Sequence, residues 1–137
     1  DLVPEDTLPA VERALVRRTS TLLATAVGDR IRLRVGDFGG AGVAEDEPLA
    51  LEGPADGGVF QRPRSTFFRL PAFLRRRCLL VNRNHPAYRA QVIAAAEAPL
   101  LAGLALAQAV LHVEGLEGEG TYQALLAAAE DASAEHQ

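Results

Sequence analysis

The chain contains no lysine, no methionine and no tryptophan, and it has a single cysteine. Each absence removes a class of reading. Without lysine there can be no Walker phosphate loop, whose lysine reaches the nucleotide phosphates. One thiol, Cys78, excludes an internal disulfide, so nothing favours a secreted disulfide scaffold. Residue 1 is aspartate and no methionine follows, which leads us to expect a piece of a larger chain. The acidic N-terminus does not resemble a signal peptide. The most apolar stretch, Ala98 to Ala107, contains Pro99 and Gly103 and is bracketed by Glu97 and Gln108. It falls short of the roughly 18 apolar residues of a membrane span and reads as a core helix. We therefore expect no membrane association and a cytoplasmic location.

What is present is ordinary for a globular domain. The 137 residues are 48% hydrophobic and 23% charged, enough for one domain, 1–137, with its own core. All 14 basic residues are arginine, and Ala, Leu and Gly are abundant, a pattern we read as the coding bias of a GC-rich bacterial genome.

The periodicity predicts an α+β order. Pro4 to Val27 reads as a helix, capped by Asp6 or Thr7, with Ala10, Ala14, Leu15, Leu22 and Leu23 on its apolar face. Arg30 to Val35 alternates arginine with Ile31, Leu33 and Val35, a strand with one apolar face. Gly36 to Gly42 reads as a loop. Pro48 to Glu52, Val59 to Gln61 and Ser65 to Leu70 read as short strands, and Pro71 to Arg76 as a turn of helix. Cys78 to Asn82 reads as a buried strand. Pro86 should open a helix over Ala87 to Ala98, Pro99 a second to about Val113, and Thr121 should cap a third ending near Ala132. The expected fold is thus an N-terminal helix, a small, mostly antiparallel sheet of three to five strands, and three C-terminal helices. Leu100, Leu101, Leu104, Val110 and Leu111 should pack in the core against Leu79, Val81 and the first helix.

Charge is strongly segregated. Residues 1–61 sum to −5, residues 62–89 carry eight arginines and no acid, and residues 90–137 carry seven acids and no arginine. The basic block also holds Phe67, Phe68, Phe73 and Tyr88. Arg62, Arg64, Arg69, Arg75, Arg76, Arg77 and Arg83 are therefore candidate contacts to a partner or to phosphates. The alternative is internal: Arg75 to Arg77 answer Glu114, Glu117 and Glu119, or meet an acidic partner. That reading is favoured because the chain as a whole is acidic, at −4.

No catalytic constellation emerges. His85, His112 and His136 are not at metal-ligand spacing with one another or with Cys78. His85, between a strand and Pro86, suits a helix N-cap, and His112 suits a helix C-terminus. Cys78 follows three arginines that would favour a thiolate, but a nucleophile needs a base such as His85 beside it, and its place before Leu79, Leu80 and Val81 fits a core residue better. Gly40-Ala41-Gly42 lacks the third glycine and the helix of a dinucleotide site, and Asp37-Phe38-Gly39 stands without the other kinase elements. Glu45-Asp46-Glu47 reads as a solvated loop. We expect no cofactor and no metal.

One stretch has a familiar shape. Leu79-Leu80-Val81-Asn82-Arg83-Asn84-His85-Pro86-Ala87-Tyr88, an apolar strand ending in Asn-x-x-His-Pro-x-Tyr before a helix, resembles a segment in the C-terminal parts of bacterial Hsp90-like or histidine-kinase-like (GHKL) ATP-binding proteins. The resemblance implies an accessory domain that follows an ATPase module. The nucleotide-binding motifs of that family have no counterpart here, so no ATP site is carried over. The expected function is a non-enzymatic protein-interaction or assembly domain, with a protein partner or self-association. A nucleic-acid-binding domain using the arginines of 62–89 is the alternative.

Overall fold

The structure, a computed structural model, describes residues 3–28, 31–36, 60–61 and 78–135. Its elements are a 3-10 turn at Glu5–Thr7, helix α1 (Ala10–Val27), strands β1 (Arg32–Gly36), β2 (Phe60–Gln61) and β3 (Cys78–Asn82), and helices α2 (Pro86–Ala95), α3 (Pro99–Val113) and α4 (Glu119–Glu135). The α+β class and the three C-terminal helices stand as expected. The strands expected at Pro48 to Glu52 and Ser65 to Leu70, the turn at Pro71 to Arg76 and the loop beyond Gly36 lie outside the described residues.

Helix α1 begins later than its pattern suggested. Pro9 occupies the N-cap, and no side chain caps the helix. Thr7 instead turns its hydroxyl to the Pro4 carbonyl at 2.7 Å, and Asp6 sits within the preceding 3-10 turn. The buried stripe is Glu12, Leu15, Val16, Thr19, Leu22, Leu23 and Val27, the i, i+3, i+4 spacing of one helix face. Ala10 and Ala14 are exposed, contrary to their expected place on that face, because the stripe turns around Glu12 rather than Ala14. The buried Thr19 hydroxyl donates to the Leu15 carbonyl at 2.8 Å, so it adds no orphan polar group to the core.

The sheet corrects the expected antiparallel order. β3 is central, in the order β1-β3-β2, and its main partner β1 runs parallel to it, pairing Leu33 with Leu79 and Val35 with Val81. Only the two-residue β2 is antiparallel, with Phe60 opposite Val81. Alternation along a strand is the same in either direction, whereas a parallel pair needs a long connection between its strands. The chain from Gly36 to Cys78 supplies the length. Ile31, Leu33 and Val35 are buried as their alternation predicted, and so are Cys78 to Val81. Leu79 and Val81 join the helical core, as β3's central position requires.

The C-terminal helices follow their punctuation. Pro86 and Pro99 each occupy the first turn of a helix, where a missing N–H costs nothing. Helix α2 ends at Ala95, three residues before the expected Ala98, and α4 begins at Glu119, so Thr121 lies inside it and does not cap it. Val110 and Leu111 are buried; Leu100 and Leu104 pack at the edge of the core. Leu101 is 68% exposed and leaves the core altogether. It lies at the start of α3, whose inward face is set by Ala102, Leu106, Val110 and Leu111. Leu125, Ala128 and Ala129 close the core from α4.

Candidate functional site

Among the described residues, chemistry-bearing side chains converge where β3 turns into α2. Arg83 continues the strand ladder, its N–H donating to the Gly36 carbonyl at 2.9 Å. The turn is closed by Asn82, whose carbonyl accepts from the His85 N–H at 3.1 Å and whose side-chain oxygen accepts from the Asn84 N–H at 3.0 Å. His85 then caps α2 as expected, its Nδ1 accepting from the Ala87 N–H at 3.1 Å. These bonds fix the direction in which Arg83 and Tyr88 project.

Both reach Glu12 on the inner face of α1. The Tyr88 hydroxyl donates to Glu12 Oε2 at 2.9 Å, and Arg83 Nη2 donates to Glu12 Oε1 at 3.2 Å. Glu12 is 1% exposed and Tyr88 fully buried, while the Arg83 side chain keeps an edge toward solvent. Each carboxylate oxygen thus has its own donor, one of them charged, which is the condition for holding a carboxylate in a core. Burial, together with the adjacent Glu12 charge and the hydrogen bond to it, pushes the Tyr88 phenol well above its ordinary value. Tyr88 therefore remains a donor. The cluster is a buried clasp between α1 and the β3–α2 junction.

This places the candidate residues. Arg83 is committed to Glu12. Arg62, Arg64, Arg69, Arg75, Arg76 and Arg77 lie outside the described residues, as does His136. Glu117 faces His112, with Nδ1 and the carboxylate 2.6 Å apart. Cys78 is buried at the start of β3, and His85 lies past the far end of that strand, its Nδ1 occupied by the cap. Glu12 did not stand out in the sequence, where an acid near a helix start suits the helix dipole. The available signal was its phase: it sits three and four residues before Leu15 and Val16, on their face.

Two surface features among the described residues bear on binding. An open groove of about 570 Å³ lies between α1 and α4, lined among others by Arg13, Arg17, Arg18 and Asp131. Arg17 is there paired with Glu5. The second is the outer face of the α2–α3 hairpin. Ile93 is 73% exposed and Leu101 68%, the highest exposures of any large hydrophobic side chain among the described residues. Around them Pro86, Ala87, Ala90, Ala94, Ala96 and Pro99 are also exposed. Arg89 and Glu97 are the charged residues on this face.

No protein-family model, curated protein or solved structure matches the chain. Among the described residues no helix is long and apolar enough to cross a membrane.

Proposed function

We propose that this chain is a non-enzymatic protein-interaction domain that docks through the outer face of its α2–α3 hairpin. The observation that carries the reading is the exposure of Ile93 on α2 and Leu101 on α3, among exposed alanines and prolines with Arg89 and Glu97 as the charged residues. A surface helix ordinarily turns charged and polar side chains outward, and contiguous apolar surface marks a place where another molecule belongs. The buried clasp supports the same reading from the other side. Its titratable groups are spent on holding α1 to the β3–α2 junction, and so on fixing the base of the hairpin. The arginine-only basic set and the shape of the Leu79 to Tyr88 segment favour an accessory domain of a larger, cytoplasmic bacterial protein.

The test is photo-cross-linking in cells. A photoreactive residue placed at Ile93 or Leu101 of the intact protein should give protein adducts of higher mass. The same residue at Gln123, exposed on α4, should not. Absence of adducts at both hairpin positions would sink the reading.

A further inference from the structure

We propose that the partner of the hairpin face is a second copy of this chain, docked by antiparallel, two-fold pairing of α2 with its counterpart about Ile93. This rests on the reading of the hairpin as a docking face and names its occupant. The carrying observation is an arrangement of charge. Arg89, Ile93 and Glu97 are spaced four residues apart, all exposed. The Glu97 and Ala98 amides both donate to the Ala94 carbonyl, at 3.1 and 2.8 Å, so the backbone keeps its helical course past Ala95. The three side chains therefore follow one edge of the helix, with Ile93 midway and opposite charges about 6 Å along the axis on either side. Among the described residues neither Arg89 nor Glu97 forms an ion pair.

A two-fold axis through Ile93 maps this pattern onto its own complement. Ile93 meets Ile93 of the second copy, and Arg89 meets Glu97 twice, because a two-fold contact repeats every pairing. Parallel pairing would set arginine on arginine and glutamate on glutamate, so the charges select the antiparallel register. Ala90 and Ala94 flank Ile93 with side chains small enough for the helix axes to approach to about 8 Å. Leu101 is exposed as well, in the first turn of α3. A polyanion finds no grip here, since one arginine is balanced by one glutamate. An unrelated protein would have no need of a self-complementary pattern.

Sedimentation of the intact protein with a set of charge variants tests this. The wild type should dimerise at about 100 μM, where even a weak micromolar complex is populated. Arg89→Glu and Glu97→Arg should each weaken dimerisation about tenfold or more, since both symmetric pairs turn from attractive to repulsive. A one-to-one mixture of the two variants should recover the wild-type affinity as a heterodimer, and so should the double variant with itself. Ile93→Asp should be monomeric with an unchanged circular dichroism spectrum, because the side chain it replaces is exposed. A wild-type monomer, single variants that dimerise like wild type, or a mixture no tighter than its components would overturn the proposal. If adducts at Ile93 then contain a different protein, the docking reading survives and the second copy does not.

Discussion

Tyr88 and Glu12 form the interaction most exposed to test by single substitutions. Tyr88→Phe removes the donor and leaves Glu12 Oε2 buried with nothing to replace it. A hydrogen bond to a charged group is worth about 1.5–3 kcal/mol, and we expect a loss of that size in urea unfolding. Glu12→Ala should cost more, about 3–5 kcal/mol, because it strands both Arg83 and Tyr88. The pair also predicts a pH dependence. The folded state holds the Tyr88 proton more tightly than the unfolded chain does. Its contribution is fully present below about pH 10, the unfolded value, and is lost as pH climbs toward the higher folded value. In a Tyr122→Phe background, where Tyr88 is the remaining tyrosine, phenolate absorbance should appear together with unfolding; a phenol that titrates near pH 10 in the folded state would contradict the buried clasp. The phase of residue 12 was legible but its role was not, because an acid near a helix start has an ordinary explanation in the helix dipole. Only the tertiary partners, 71 and 76 residues away, distinguish it.

At the scale of elements, the chain's punctuation was readable where it acts locally. Pro86, Pro99 and the His85 cap depend on residues beside them, and each stands where the sequence placed it. The end of α3 shows the same economy. Gly115 has φ of 67°, its amide donates to the His112 carbonyl at 3.2 Å, and the Leu116 amide donates to the Leu111 carbonyl at 2.9 Å. That is a Schellman closure, with Leu116 packed against the core. A Cβ at Gly115 would meet no atom within 4 Å, so Gly115→Ala costs only the left-handed backbone. We expect about 1–2 kcal/mol by thermal unfolding, and no measurable loss would deny the motif. Strand direction was not readable from β1, whose alternation is the same whether it runs with or against its partner. The continuous apolar run of β3 was the available signal, since strands buried on both faces are common in parallel sheets. Leu101 was misplaced for a related reason. Its helix is apolar all round, and no polar residue in its first turn marks which side faces out.

At the largest scale, the core among the described residues is a helical layer closed on one face of a sheet whose central strand comes last of the three described strands. Leu79→Ala should cost about 2–5 kcal/mol, since its side chain is fully buried between β1 and the helices. Leu101→Ala should stay within about half a kcal/mol, and denaturant curves on the two variants separate core from surface directly. The clasp at Glu12 has a consequence for how the chain is made. Helix α1 leaves the ribosome early, carrying a carboxylate on the side that must be buried, while Tyr88 is still 76 residues from being added. At roughly 5–20 residues per second, that is a wait of about four to fifteen seconds. During that interval Glu12 has neither Arg83 nor Tyr88 to meet it, although β1, on which the helix packs, follows α1 directly in the chain. Until then Glu12 stays in water, so the contact that fixes α1 to the β3–α2 junction is made only once residue 88 has emerged.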